Sequence, residues 1–135
     1  MPMKIGTRKQ IYLFGALWNL SFALCGLVLP RFTMWLISGS WDSLTGVLLR
    51  TFFAFFWVAV GLFGIGYYIV SRDPDRNEAV ILTGCAGKVI IFLTFGYLYF
   101  CNQITLFGFL CGLGDFIWTF FFIAAQRCEK AKGLC

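Results

Sequence analysis

The sequence predicts an all-α integral membrane protein: a four-helix bundle with both termini in the cytoplasm and an interfacial segment between helices one and two. Three observations carry this. Of 135 residues, 60% are hydrophobic and only 13% are charged, against roughly 45–50% apolar and 25% charged in a soluble domain. A soluble chain this short has too little interior to hide that much apolar surface, so lipid is the solvent and residues 1–135 are read as one domain. The apolar residues also fall in four continuous runs, each close to the roughly 20 helical residues that cross a hydrocarbon core of about 30 Å. An open sheet would leave backbone groups unpaired in lipid. A small β-barrel would show short alternating runs, and these runs are continuous.

The first run is Ile11–Leu29, preceded by Lys4, Arg8 and Lys9. A basic start also marks a secretory signal. At 19 residues this run exceeds a normal signal core, and no small-x-small cleavage site follows, so it is read as a retained span. The connection Pro30–Arg50 carries Trp35, Trp41 and the patch Met34-Trp35-Leu36-Ile37. Tryptophans favour the headgroup level, which places this segment in the interface. The second run is Thr51–Val70, with a start as early as Leu44 allowed by the pattern.

Ser71 to Glu78 separates the second and third runs. Asp73 suits an N-cap and Pro74 the first helical position, where a missing N–H costs nothing. The third helix is therefore expected to begin at Pro74, ahead of its apolar run Ala79–Cys101. Only Asn102 and Gln103 separate this run from the fourth, Ile104–Ala125, which predicts a tight antiparallel hairpin.

Charge sets the expected orientation. Lys4, Arg8, Lys9, Arg72, Arg76, Arg127, Lys130 and Lys132 fall on one side, against Arg31 and Arg50 on the other. The positive-inside rule places the eight in the cytoplasm. Tyr12, Tyr67 and Tyr68 then fall near the inner surface, and Trp35, Trp41, Tyr97 and Tyr99 near the outer one. The expected location is a bacterial cytoplasmic (inner) membrane.

Composition also excludes chemistry. The chain has no histidine, which removes Ser-His-Asp and Cys-His catalysis, His-ligated haem and His-bearing zinc sites. The net charge of +5 belongs to the ends of apolar runs, and no base-stacking or phosphate-cradling motif points to nucleic acid. None of the six cysteines forms a C-x-x-C pair. Cys25, Cys85, Cys101 and Cys111 lie within or at the ends of apolar runs, where a thiol acts as a small hydrophobe. Cys128 and Cys135 lie in a basic tail, open to acylation or left free. No catalytic or metal-binding residues are expected.

Two charges fall inside the spans, Lys88 and Asp115. Such charges are costly and face the bundle interior with a partner. Lys88 lies 14 residues before Asn102, and Asp115 lies 12 after Gln103. At 1.5 Å rise per residue the depths differ by about 3 Å, so an ion pair near the midplane is predicted. Asn19 and Gly61 lie at similar depth and complete the expected layer. Gly108-x-x-x-Gly112, Gly114, Gly84, Gly87, Gly64 and Gly66 surround it, in the small-residue pattern that lets membrane helices approach. Two readings compete for the layer: a structural latch that neutralises itself, and a polar pocket.

Asp42 and Arg50 are outer-face candidates, as a surface ion pair or a binding mouth. Arg72, Asp73, Asp75 and Arg76 form a mixed-sign cytoplasmic cluster, read as a solvated cap or a partner-docking site. The seventeen phenylalanines are too dense for one buried face. They require lipid, or apolar partners such as another membrane protein, a quinone or a carotenoid.

The chain resembles the small four-helix membrane proteins grouped as DoxX-like. The residues that carry the likeness are Leu17-Trp18-Asn19-Leu20, the Gly64-Ile65-Gly66-Tyr67-Tyr68 stretch leading into Ser71-Arg72-Asp73-Pro74, Gly84-x-x-Gly87-Lys88, and Gly112-Leu113-Gly114-Asp115. The resemblance implies four helices with cytoplasmic termini. It also implies a link to membrane redox work, as in thiosulfate:quinone oxidoreductase, or to chaperone-like assembly. This chain carries no cofactor motif. The leading functional expectation is a non-enzymatic subunit that packs against and stabilises a larger membrane complex. The alternatives are a redox-associated binder of quinone or lipid, and a small ion- or proton-coupled transporter using Lys88 and Asp115.

Overall fold

The computed structural model describes residues 5–41 and 44–130, which are helical apart from short turns. Five helices follow in order: α1 (Ile5–Val28), α2 (Pro30–Ser38), α3 (Val47–Arg72), α4 (Glu78–Phe100) and α5 (Leu106–Lys130). Four of them, α1, α3, α4 and α5, are long and apolar enough to cross a membrane. The shortest such stretch, 22 residues of α5, extends about 33 Å at the helical rise and exceeds the hydrocarbon core. No more than 33% of the most apolar window of any span is buried within the protein. An apolar exterior of that extent is what an integral membrane protein presents to lipid.

α1 lies along α3 and α4 along α5, and the two pairs meet through smaller contacts. The densest packing is at the end where α1 and α4 begin and α3 and α5 finish. Tyr12, Ala16, Tyr67, Val70, Ile81, Cys85, Phe122 and Ala125 form the core there. Phe122 inserts between the two tyrosines, 5.2 Å from the Tyr12 ring and edge-on to Tyr67 at 4.7 Å. The Tyr12 hydroxyl donates to the Phe122 carbonyl at 3.3 Å. Tyr12 and Tyr67, expected at the inner ends of their spans, lie together at this end of the bundle and are fully buried among its helices, while Tyr68 is exposed.

The segment expected to lie in the interface is in part a helix of the bundle. α2 starts with Pro30 in its first turn and ends at Gly39, whose φ of 76° is the left-handed conformation that glycine adopts cheaply. Its inner side is tied down by Thr33, which is buried and donates to the Cys25 carbonyl at 3.1 Å. Its C-terminus meets the start of α5. The Thr105 N–H donates to Ile37 O at 2.7 Å, and the Thr105 hydroxyl donates to Leu36 O at 2.5 Å. Thr105 Oγ1 also accepts from the Gly108 N–H at 3.2 Å, as an N-cap. One threonine thus satisfies orphan groups of two helix ends. Trp35 stacks on Trp41 at 5.0 Å beside this junction.

The turn before α4 also differs from expectation. Asp73 is the C-cap of α3, and α4 begins at Glu78 rather than Pro74. The cause is local hydrogen bonding. The Asn77 amide donates to the Asp73 carbonyl at 2.7 Å, while Asn77 O receives the N–H groups of Val80 and Ile81. The α4–α5 hairpin is as tight as predicted. Asn102 takes φ 57°, its N–H donates to Tyr99 O at 3.0 Å, and the Gln103 N–H donates to Leu98 O at 2.9 Å. That pair of bonds is a Schellman turn with asparagine at its left-handed position.

Candidate functional site

The hairpin brings Lys88 of α4 beside Asp115 of α5. Lys88 Nζ donates to Asp115 Oδ1 at 2.5 Å and to Asn19 Oδ1 of α1 at 3.0 Å. The ammonium also sits 5.6 Å from the centre of the Tyr67 ring. Two oxygens and a π-face therefore surround a side chain that is only 5% exposed. Removing an ammonium from water costs several kcal/mol, and such partners are what offset it. Asn19 is held in turn by Nδ2, which makes a long contact of 3.5 Å to Val60 O on α3. Gly61 has no part in this network; a Cβ there would meet only Ala23 of α1 at 3.4 Å.

Lys88 forms the back of the layer, and Asn19 and Asp115 form its front. Both line a cavity of about 220 Å³ that extends from the layer toward α2. Its walls are Trp18 and Phe22 of α1, Phe56, Trp57 and Val60 of α3, Phe95 of α4, and Phe107 and Cys111 of α5. Phe32, Thr33, Leu36 and Ile37 of α2 close the far end. The Thr105 junction therefore positions the lid of this cavity. An apolar cavity of about 150 Å³ suffices to hold benzene, so this one takes a ring-sized group with room to spare.

The glycines do two jobs here. At Gly112 and Gly64 the neighbour is backbone as well as side chain: Phe92 Cα lies 3.5 Å from a Gly112 Cβ position, and Leu20 N lies 3.2 Å from that of Gly64. These are helix approaches of the expected kind. Gly26 and Gly114 instead make room for cavity walls. The Trp57 ring occupies the space over Gly26, and the Trp18 ring comes within 3.0 Å of a Gly114 Cβ position. The Tyr67 ring likewise fills the space over Gly84.

The remaining expected site residues have structural partners or lie elsewhere. Arg50 Nε donates to Leu44 O at 3.1 Å, closing the connection into α3. Asp42 lies outside the described residues, as do Cys135 and the side chain of Cys128. At the other end of the bundle Asp75 pairs with Arg8 of α1 at 3.0 Å, and Asp73 pairs with Arg76 at 3.5 Å. Arg72 lies exposed on the last turn of α3. Asp75 is thus tied to α1, while its side chain and those of Asp73 and Arg76 stay largely open to solvent. No group of His, Cys, Asp and Glu among the described residues is arranged to hold a metal ion.

Sequence reasoning missed Trp57, Trp18 and Arg8. Arg8 was read only as a topology charge, yet its side chain is 5% exposed. The one signal was its position one turn before Tyr12, on the buried face of α1. Comparison with known proteins finds no matching family model, no matching curated protein and no matching solved structure.

Proposed function

We propose that this protein binds an apolar small molecule of the lipid or quinone type inside the membrane, without itself being an enzyme. The observation that carries the reading is the cavity beside the ion pair: aromatic walls, one polar end, and a volume fit for a head group. A latch that only fixed helix register would need no such space. Interior packing leaves few voids unless they are filled or used. The accessory-subunit reading draws on the aromatic exterior, which lipid by itself can cover, so the cavity ranks above it. Transport through Lys88 and Asp115 is disfavoured by their mutual neutralisation. We place both termini in the cytoplasm and the protein in a bacterial inner membrane, on the strength of the basic bias of one side.

The test is purification from native membranes in mild detergent, with mass spectrometry of the small molecules and polypeptides that co-elute. The expected result is one lipid-like molecule per chain, absent from a Val60→Phe variant whose new ring fills the cavity. Stoichiometric polypeptides with an empty cavity would instead establish the subunit reading.

A further inference from the structure

Resting on the binding reading above, we infer that the ligand is an uncharged amphiphile that presents a hydroxyl to the polar layer, with its apolar body leaving toward lipid between α1 and α5. Charge comes first. Lys88 and Asp115 sum to zero, and Lys88 is satisfied from behind by Asp115, Asn19 and the Tyr67 ring. A ligand anion would meet the Asp115 carboxylate. A ligand cation would compete with Lys88 for that carboxylate and leave excess positive charge in low dielectric.

The hydrogen-bonding inventory then selects among uncharged groups. Asp115 Oδ1 accepts from Lys88, while its other oxygen has no hydrogen-bond partner among the described residues. Asp115 lines the cavity with 23% of its side chain exposed. An ionised carboxylate only accepts. A hydroxyl satisfies that oxygen by donating to it, whereas a carbonyl or ether turns only lone pairs toward the carboxylate. The Trp57 indole lies farther off, its ring over Gly26, seven residues beyond Asn19 on α1, and serves as an apolar wall.

The route for the apolar body comes from a second cavity. An open groove between α1 and α5 is lined by Phe14, Leu17, Trp18, Ser21, Phe22 and Trp118. Trp18, Ser21 and Phe22 line both cavities, so the groove adjoins the inner cavity across these three side chains, and the apolar body takes that side.

The experiment reconstitutes the full chain in nanodiscs of phosphatidylcholine and phosphatidylglycerol and counts bound probe by native mass spectrometry. Two matched pairs are used: 4-octylphenol against 4-octylanisole, and farnesol against farnesyl methyl ether. The expected result is that the hydroxyl member binds about tenfold or more tightly than its ether, the loss typical of a hydrogen bond to a charged group. The better-bound pair tells whether the hydroxyl belongs to a phenol-type ring or to a chain alcohol. Asp115→Asn, where it folds, should remove the preference for the hydroxyl. Equal binding within both pairs overturns the hydroxyl inference and leaves the binding reading standing. No binding of any probe, with Val60→Phe indistinguishable from wild type, overturns both.

Discussion

Tyr67 carries a buried hydroxyl that finds no partner, directly over Gly84. Such a group is costly, and removing it leaves the ring's packing on Phe122 intact. Tyr67→Phe should therefore raise stability by about 1 kcal/mol, read as a higher unfolding midpoint in detergent micelles. Gly84→Ala should lower it by about 1–3 kcal/mol through overpacking. The double variant should recover part of that loss, because the hydroxyl is among the atoms nearest the new methyl. Lowered stability in Tyr67→Phe would mean the hydroxyl has a partner after all. At this scale the sequence was legible where arithmetic applied. The two-residue hairpin let depth be counted from one point, which made the Lys88–Asp115 pair predictable. Trp57 was illegible, because in a phenylalanine-rich run nothing in hydropathy separates a cavity wall from a lipid-facing ring.

Single elements hang on few polar contacts. Thr105 joins α2 to α5 through three hydrogen bonds, two donated to α2 carbonyls and one accepted at the start of its own helix. Thr105→Val keeps the shape and the backbone bond but loses both side-chain bonds. It should cost about 1–2 kcal/mol, and freeing α2 should speed hydrogen exchange over Thr33–Ser38 relative to α4. Unchanged exchange there would mean that packing alone holds α2. At the opposite end, Asp75→Ala should cost about 1.5–3 kcal/mol by stripping a charged partner from buried Arg8. Arg76→Ala, at an exposed pair, should stay within about 0.5 kcal/mol. Equal losses in the two variants would contradict the assignment. Element existence was readable from run length. The start of α4 was not, because Asp73-Pro74 satisfies the local rules for a helix start. What overrides them is the closure of the turn by Asn77 and the reach of Arg8 to Asp75, a partner 67 residues away.

Across the whole molecule, packing is uneven. The end where α1 begins and α5 finishes holds the aromatic core. The other half opens into the cavity beneath α2. At the packed end Tyr67 and Phe122 seat over Gly84 and Gly15; at the other, Trp57 and Trp18 seat over Gly26 and Gly114 and their rings wall the cavity. Four spans were legible because lipid demands continuous apolar runs. The cavity was not, since it is made by the spacing of the helices and by α2 folding over the open end.

The central claim is that the polar layer recognises a ligand and does not merely hold the helices in register. The most direct measurement is the double replacement Lys88→Met with Asp115→Leu, followed by unfolding and by analysis of the bound small molecule. Either single replacement strands a buried charge and should cost about 3–5 kcal/mol, whereas the double replacement should be close to neutral. The account predicts a folded double variant of near-wild-type stability that has lost its bound molecule. A folded double variant that retains the same molecule at the same occupancy would contradict it and leave the layer as a latch.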